Sequence, residues 1–343
     1  MTKFIEGLNI FMKDATLCYI ERDGKYLMLL RNRKSNDPNE GKWIGVGGKL
    51  EDGETPEDCA IREIFEETGL RATSLTRWGD VYFRSDVWEC EIMRLFLVTG
   101  FEGETADCDE GELHWVEKDR IFDLNLWDGD RIFLKYLISG RRFDVMELVY
   151  HGERLSACTV DGSEEELFDV YNEDGSPAGY VASRDYVHWR GLWHATSHIW
   201  IAGERDGKPS LLLQLRAACK RLYPSSWDIS AAGHIPAGED ALRSAVREIG
   251  EELGLCVEPS ELRYIGTMKM TYDDDYGEGY HDREHCRVYL LHRDIDLSDL
   301  KLQESEVESV MWIGYDELLE VMRNGSLHHC LFTEELELIR PFF

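Results

Sequence analysis

Short segments with alternating or continuous apolar residues, separated by turn residues, run through the first half of the chain. Asp14–Ile20 and Lys25–Leu30 flank the turn sequence Arg22-Asp23-Gly24 and therefore predict a β-hairpin. Three further strands are predicted at Trp78–Phe83, at Glu91–Thr99 and around His114–Val116. A helix that ends at Ile138 and a second hairpin over Arg142–Thr159 follow them.

The second half repeats this alternation after the polar, acidic segment 161–166, which predicts a linker. A chain of 343 residues suits two domains, and we predict them at 1–160 and 167–343. The apolar segments of the second domain predict helices from Tyr315 onward. Before them they predict strands, at Leu167–Tyr171, Ala195–Ala202, Leu211–Leu215, Leu262–Thr267 and Cys286–Leu291. Strands that flank a helix in both halves predict an α/β (α+β) fold with two α/β/α sandwiches in tandem.

One segment occurs twice, at Gly48–Leu70 and at Gly233–Leu255, with an offset of 233 − 48 = 185 residues. In the first copy, Thr55 is a good N-cap residue and Pro56 suits the first helical position. Gly69 suits a left-handed C-cap, so these residues predict a helix over Pro56–Thr68. Asp240 is the corresponding N-cap in the second copy.

Three carboxylates, those of Glu63, Glu66 and Glu67, lie at i, i+3 and i+4 of the predicted helix and therefore share one face. They repel each other unless a cation lies among them. Arg62 is one such cation, and a divalent metal is better, because oxygen ligands select Mg²⁺ or Mn²⁺. The second copy carries the same set as Arg247, Glu248, Glu251 and Glu252. A merely solvated acidic face is the alternative, and two complete copies argue against it.

A glycine-containing loop precedes each helix. It lets the backbone approach a ligand, and we predict that the carbonyl groups of Gly48 and Gly233 join the metal shells. Glu54 and Glu239 lie just outside the helices, where they are predicted to orient the ligands or to bond the two arginines.

The composition of the chain limits the classes of molecule that it is expected to bind. A net charge of −30 argues against a nucleic-acid polymer or an anionic membrane, whereas a nucleotide stays compatible because a bound metal supplies positive charge. No apolar run approaches transmembrane length, and the N-terminus lacks a signal-peptide pattern. Nine scattered cysteines without a CxxC pair indicate reduced thiols. We therefore predict a cytoplasmic protein that binds small molecules.

The repeated pattern resembles the Nudix box, and the resemblance covers nearly the whole chain. It reads Gly, five residues, Glu, seven residues, Arg-Glu, an aliphatic, any residue, Glu-Glu, any residue and Gly. The resemblance implies metal-dependent hydrolysis of a nucleoside diphosphate linked to another group. It makes the helix glutamates metal ligands, with one of them as the base, and Arg62 and Arg247 the residues that orient them.

The first half is similar to the 8-oxo-dGTP diphosphatases, on the segments Gly41–Lys49, Cys108–Glu110, Leu126–Asp130 and Arg141–Thr159. The resemblance implies that a purine dNTP, oxidised or not, is cleaved to dNMP and diphosphate. Trp127 is then expected to stack on the base, Asp130 to bond its edge, and Glu110 to act as a further metal ligand or base. A core position for Trp127 is the alternative.

Two residues of the first half depart from the mammalian member of that family. Ile44 stands where that enzyme uses an asparagine on the purine, and Gly129 stands in place of the first of two pocket aspartates.

The second half resembles the isopentenyl-diphosphate isomerase-like branch, on His188–His194, Ala195–Trp200, Pro224–Ser230 and Gly233-His234. The resemblance implies that Glu284 and His194 match metal ligands and that His194 and His234 line the substrate pocket. Hydrogen-bonded wall residues are the alternative for both histidines. Ala232 stands near the position of the isomerase cysteine, so we expect hydrolysis of an unidentified diphosphate. A prenyl-diphosphate isomerase is the alternative for this domain, and a further alternative is that one of the two domains only senses a ligand.

Overall fold

The computed structural model describes residues 12–34, 37–274 and 279–342. The N-terminal segment 1–11, on which the expectation about a signal peptide rests, lies outside the described residues. The chain divides into two compact units. The first runs up to Leu167 and includes Tyr180–Tyr186, and the second comprises Phe168–Gly179 and the chain from Val187.

The first unit is built on a nine-stranded mixed sheet. Its elements are β1 (Lys13–Arg22), β2 (Lys25–Arg31), β3 (Trp43–Ile44), α1 (Pro56–Thr68), β4 (Arg71–Ser85), β5 (Glu91–Glu102), β6 (Gly111–Glu117), α2 (Asp128–Ser139), β7 (Val145–His151), β8 (Arg154–Val160) and β9 (Ser163–Glu164). The strand order is β3-β2-β1-β5-β4-β7-β8-β9, with β6 paired to β2. The pairs β1–β5 and β4–β7 are parallel, which makes the sheet mixed.

Helices cover both faces of this sheet. On one face, Ala60 and Ile64 of α1 share an apolar core with Cys18 and Ile20 of β1. On the other, the α2 ring of Phe133 lies with its centroid 6.2 Å from that of Tyr19. Alternate residues of β1 thus face the two helices, as strand periodicity requires, and the predicted α/β/α arrangement is confirmed.

The remaining elements are β10 (Leu167–Tyr171), β11 (Pro177–Ser183), α3 (Arg184–Arg190), β12 (His194–Arg205), β13 (Lys208–Arg216), β14 (Trp227–Asp228), β15 (Ala231–His234), α4 (Ala241–Leu253), β16 (Leu262–Asp274), β17 (Tyr280–His292), β18 (Val307–Gly314), α5 (Tyr315–Asn324) and α6 (Thr333–Ile339). A seven-stranded mixed sheet has the order β14-β13-β12-β17-β16, with β15 on β12 and β18 on β13. Parallel β12 and β17 correspond to parallel β1 and β5 of the first unit.

The second sheet is also covered on both faces. Ile249 and Leu253 of α4 pack in one core with Ile199 of β12. Leu318 of α5 and Leu336 of α6 pack in another core with Trp200, the next residue of β12. The second unit is therefore an α/β/α sandwich as well, as predicted.

Both repeated helices have the caps that the sequence predicts. The structure gives α1 the predicted bounds, with the Asp58 N–H donating to Thr55 Oγ1 over 3.2 Å and Gly69 at φ 74°. At the start of α4, Asp240 Oδ1 accepts from the N–H groups of Leu242 and Arg243 over 3.0 and 3.2 Å. These side chains satisfy amides that lack a partner within the helix.

The predicted linker at 161–166 is wrong in part. Asp161 and Gly162 have φ values of 51° and 83°, which suit the central residues of a tight type I′ hairpin turn. The chain therefore folds back at once, and Ser163–Glu164 pairs with Thr159 and Val160 of β8. The segment is a turn and an edge strand because its Asp-Gly pair favours that turn over an extended connection.

Among the residues that the structure describes, no helix combines the length and the apolar character needed to cross a bilayer.

Replacing Asp240 by Ala is expected to open the first turn of α4, because two backbone amides lose their acceptor. The expected cost is about 1 kcal/mol, or about a fivefold loss of hydrogen-exchange protection at Leu242 and Arg243. Exchange measured by mass spectrometry on peptides from this turn checks it. Asp240→Ser keeps an acceptor and should retain most of the protection; equal losses in both variants would contradict the capping role.

Candidate functional site

Arg62 lies among the carboxylates of the first repeated helix. Its Nε and Nη2 donate to the two oxygens of Glu54 over 2.9 and 2.8 Å. Nη1 contacts Glu63 Oε1 at 2.7 Å and Glu66 Oε2 at 3.2 Å. The hydrogen bonds from Arg62 lower the pKa of Glu54 to about 2. The guanidinium fork thus fixes the orientation of three carboxylates around one edge of α1.

Glu67 lies on the buried side of the same helix. Its Oε2 accepts from the Gly47 N–H over 2.8 Å, and its Oε1 lies 4.0 Å from Arg31 Nη1. Burial, with a smaller contribution from Glu63, raises the pKa of this carboxyl group to about 7. A buried carboxylate of this kind is stabilised by a cation placed beside it.

Gly48 leaves room for Glu63. A Cβ at Gly48 would lie 2.4 Å from Glu63 Oε1, so a side chain there would displace the carboxylate. The Gly48 carbonyl group, a predicted metal ligand, accepts a hydrogen bond from the Thr16 N–H over 2.8 Å. The close packing against Glu63 is a part of Gly48's role that the sequence did not reveal.

The second repeated helix has the same arrangement. Arg247 Nη1 lies 2.8 Å from Glu248 Oε1 and 2.9 Å from Glu251 Oε2. Its Nη2 lies 3.3 Å from Glu239 Oε2. A Cβ at Gly233 would lie 2.1 Å from the Glu248 carboxyl group, which reproduces the contact between Gly48 and Glu63.

Glu252 corresponds to Glu67. It is buried, and its Oε2 accepts from the Ala232 N–H over 3.2 Å and from Gln214 Nε2 over 3.3 Å. Burial, followed by the charge of Glu248, raises the pKa of its carboxyl group to about 8. Both units therefore combine an arginine-bound set of carboxylates with one buried carboxylate held by the preceding loop.

Glu110 lies near the first helix but is held by cations. Its carboxylate forms ion pairs with Arg31 and Lys34, and Arg31 Nη2 also contacts Asp37 Oδ2 at 2.6 Å. Arg31 Nη1 contacts both Glu110 and Glu67, so it links the predicted extra ligand to the buried glutamate.

A cavity of about 330 Å³ lies beside this helix in the first unit. Trp127 and Asp130 line it, and Arg31, Gly47 and Gly48 line the side nearest the repeated helix. Its remaining walls are mostly apolar or aromatic and include Ala15, Leu17, Ile44, Phe83, Trp88, Met93, Leu148 and Tyr150. Aromatic walls with a few polar groups are typical of a small-molecule site.

Trp127 is half-buried and held in place on several sides. Its Nε1–H donates to Asn39 Oδ1 over 2.8 Å, and Lys42 Nζ lies 4.6 Å from its ring centroid. The rings of Trp88 and Tyr150 meet it edge-on at 5.6 and 5.9 Å. The ring thus forms part of a rigid wall of the cavity.

Asp130, in the first turn of α2, is buried, and burial raises the pKa of its carboxyl group to about 7. Gly129 lies just before it and has no space for an aspartate. A Cβ there would lie 2.5 Å from Leu148 Cδ1, and the Gly129 N–H donates to the Tyr150 hydroxyl over 2.7 Å. Leu148 and Tyr150 thus fill the space that a side chain at position 129 would need. Asp130 is therefore the buried acid that lines this wall of the cavity.

The second unit gathers three imidazole groups, those of His188, His194 and His234. One ring nitrogen of each lies within 4.8 Å of the others. His194 and His234, predicted as pocket residues, have their rings nearly parallel at 5.2 Å.

Two carboxylates adjoin these rings. Asp282 Oδ1 lies 3.6 Å from both His188 Nε2 and His194 Nε2. Glu284 Oε1 lies 3.9 Å from His194 Nε2 and 3.8 Å from His234 Nε2. We call these five residues the histidine cluster. Imidazole nitrogens with carboxylates suit Zn²⁺, Mn²⁺ or Fe²⁺.

Sequence reasoning missed the part of His188 and Asp282 in this cluster. Asp282 and Glu284 are two residues apart on β17, and Glu284 is the register partner of His194 on β12. The alternation was a usable signal, because residues i and i+2 of a strand share a face. His188 comes from α3, a helix that the hydrophobic pattern did not predict.

Comparison with known proteins agrees with the two similar units. The NUDIX domain profile matches residues 12–137 and 192–330. An uncharacterised Nudix hydrolase of Clostridium acetobutylicum is 36% identical over 161 residues, which are 47% of this chain and 76% of that protein. The oxidized purine nucleoside triphosphate hydrolase of Danio rerio is 33% identical over 133 residues, 38% of this chain and 83% of that protein.

Among solved structures, the MutT protein of Bacillus halodurans is similar with a TM-score of 0.39 and 25% identity, over 44% of this chain and 98% of that one. The profile match to both halves covers most of the sequence. The chain therefore belongs to the Nudix family, as a pyrophosphohydrolase with two Nudix domains in tandem.

Proposed function

We propose that both Nudix boxes hold Mg²⁺ or Mn²⁺ and that each domain hydrolyses a diphosphate linkage of a small molecule. The observation that carries this proposal is the repeated geometry. In each domain an arginine binds the outer glutamate and two helix glutamates, while the last glutamate is buried on a backbone N–H group. A solvated acidic face does not need the buried carboxylate.

In the first domain, Glu63, Glu66 and Glu67 are the proposed ligands, with one of them as base, and Gly48 contributes its carbonyl group. A divalent ion held there would supply positive charge against the phosphate oxygens and would lower the pKa of a water molecule. Arg62 orients Glu63 and Glu66, and the Gly47 N–H orients Glu67. In the second domain, Gly233, Glu248, Glu251 and Glu252 have these roles and Arg247 orients them.

The proposed substrate of the first domain is a purine deoxynucleoside triphosphate, oxidised or not. Water attacks phosphorus, the anhydride bond breaks, and dNMP and diphosphate leave. Trp127 presents an aromatic wall to the base, Asp130 bonds its edge, and Arg31 lies between that cavity and the box. The likeness to an oxidized purine nucleoside triphosphate hydrolase supports this substrate class. Glu110 is proposed as the further ligand or base.

For the second domain we propose a diphosphate substrate of another kind. The histidine cluster offers three nitrogens and two carboxylates beside the box and is proposed to hold a second divalent ion. The same cluster favours prenyl-diphosphate isomerisation as a second candidate. Ala232 argues against it, because a methyl group cannot transfer a proton.

We also propose a cytoplasmic location. All nine cysteines are free thiols, as expected in a reducing compartment.

Glu66→Gln and Glu251→Gln are expected to abolish different activities. Each replaces one proposed carboxylate ligand by an amide, whose oxygen still accepts from the neighbouring arginine. Turnover should fall at least about 100-fold for the substrates of the altered domain and stay unchanged for those of the other. The measurement is phosphate or diphosphate release with Mg²⁺ over a panel of oxidised and normal dNTPs, nucleotide sugars, ADP-ribose and prenyl diphosphates.

Glu57→Gln is the matched control, because this exposed residue lies on the first turn of α1 away from the arginine contacts. If one of the two box substitutions left every activity intact, that domain would be a ligand sensor and not a hydrolase.

Asp130→Asn is expected to change how stability depends on pH. Burial raises the pKa of Asp130 from 3.8 to about 7, so the folded state favours the protonated form. The contribution of the protonated carboxyl group to the stability of the folded state is complete below pH 3.8 and is lost as the pH rises through 7. The amide does not ionise. The free energy of unfolding of the variant, relative to that of the wild type, should therefore rise by at most about 4 kcal/mol between pH 4 and pH 8.

Urea unfolding of both proteins across this range measures the difference, in which Glu67 and other shared groups cancel. The change in KM for a purine dNTP across pH 7 should be larger for the wild type than for the variant, because Glu67, whose pKa is also about 7, is present in both. A constant stability difference at all pH values would contradict the buried, protonated Asp130.

Isopentenyl diphosphate is expected to be left unisomerised by the wild-type protein, since Ala232 has no acid group. Proton exchange in deuterated water, followed by NMR, measures isomerisation separately from diphosphate release. Ala232→Cys tests whether the thiol is the missing element. Isomerisation by the unaltered protein would establish the second candidate instead.

A further inference from the structure

A second group of metal-binding atoms lies next to the histidine cluster, on the same face of the second sheet. It consists of His198 on β12 and of Glu284 and Cys286 on β17. Because His194 is paired with Glu284 in the parallel ladder, and alternate residues share a face, His198 and Cys286 continue the same row. All three side chains are buried.

The distances among these atoms match a small coordination sphere. Glu284 Oε2 lies 3.9 Å from His198 Nε2 and 3.6 Å from Cys286 Sγ, and the three donors are within 4.8 Å of one another. Ligands on a tetrahedral zinc with bonds of roughly 2.0–2.3 Å are separated by roughly 3.3–3.7 Å. Glu284 turns its other oxygen towards the histidine cluster. Its two oxygens therefore face two different sets of donors.

Glu335 of α6 holds the imidazole of His198 from behind. Its Oε1 and Oε2 lie 3.1 and 3.2 Å from His198 Nδ1, and Oε1 also accepts from Trp200 Nε1 over 3.0 Å. A carboxylate accepts and cannot donate, so Nδ1 carries a proton towards Glu335, and the ring is held with Nε2 directed at Glu284. Histidine ligands of metals are commonly oriented by a carboxylate in this way.

Two of the three corresponding positions of the first domain are apolar, and the third is Glu91 in the place of Glu284. The registers pair Lys13 with Glu91 and Ala15 with Met93, and they pair His194 with Glu284 and Thr196 with Cys286. Cys286 thus stands in the place of Met93, and His198 stands in the place of Leu17.

Met93 and Leu17 both line the cavity of the first domain. Apolar residues suit the lining of a cavity that takes a flat ring. A buried thiol, imidazole and carboxylate in contact are instead groups that bind a transition metal.

We propose that His198 Nε2, Cys286 Sγ and Glu284 Oε2 form a thiolate-containing site for Zn²⁺ or a similar transition metal, separate from the Nudix box. Binding displaces the thiol proton of Cys286 to solvent, and Glu335 positions His198. Three protein ligands leave one position open, as in zinc sites that act on a substrate. The proposal does not depend on hydrolysis by either box.

The test uses the full chain, freed of metal with a chelator and then titrated with Co²⁺. A thiolate ligand gives cobalt an intense charge-transfer band in the near ultraviolet that oxygen and nitrogen ligands do not give. The unaltered protein should show this band, and Cys286→Ser should lose it together with one equivalent of bound metal. Cys330→Ser, which removes another thiol of the same domain, should keep both.

Two further variants separate this site from its neighbours. His234→Ala removes a donor of the histidine cluster only and should keep the band. Glu335→Gln should keep the thiolate ligand but weaken cobalt binding about 10- to 100-fold, as for outer partners of metal ligands. Cobalt that binds to the unaltered protein without a thiolate band, a band that survives Cys286→Ser, or no transition-metal binding beyond the histidine cluster would each overturn the proposal.

Discussion

One arginine inside each Nudix helix makes the concentration of negative charge tolerable. Glutamates three and four residues apart repel each other, and Arg62 and Arg247 lie among them as well as against a glutamate outside the helix. A lysine has no planar fork with which to bond several carboxylates at fixed angles. Gly48 and Gly233 complete the constraint, because any side chain at either position would occupy the space of a carboxylate.

The last glutamate of each box forms its hydrogen bonds with the preceding loop and not with this arginine. Glu67 and Glu252 are buried against the preceding loop, where each accepts one backbone N–H group, and burial raises the pKa of their carboxyl groups to about 7 and about 8. Ionisation at these positions is costly, even in the first domain, where Arg31 lies 4.0 Å from Glu67. The two parts of the box therefore differ in kind, since an arginine binds the other glutamates directly and burial dominates at the last one.

The accuracy of the sequence-based predictions follows the range of the interactions involved. The bounds of α1 were predictable because its caps at Thr55 and Gly69 are local. The strand cores were predictable from their apolar runs, whereas β4 and β16 extend beyond them because neighbouring strands supply the pairing. The carboxylate positions of both boxes followed from helical spacing alone. The neighbours of Glu284 did not, because His194 and His198 on β12 and His234 on β15 are far from it in the sequence.

One pair of corresponding positions illustrates the difference between the two domains. Lys49 is the ladder neighbour of Ala15, and His234 is that of Thr196, so the two residues correspond. Lys49 Nζ lies 3.4 Å from Glu91 Oε1, whereas His234 Nε2 lies 3.8 Å from Glu284 Oε1. An ammonium group neutralises its carboxylate and has no lone pair to offer, so the face beside it suits an apolar cavity. An imidazole carries no fixed positive charge, and the equivalent carboxylate then lies among several imidazole groups. The same sheet face thus lines a cavity in one domain and gathers imidazoles and carboxylates in the other, while both boxes keep their arginine and glutamates.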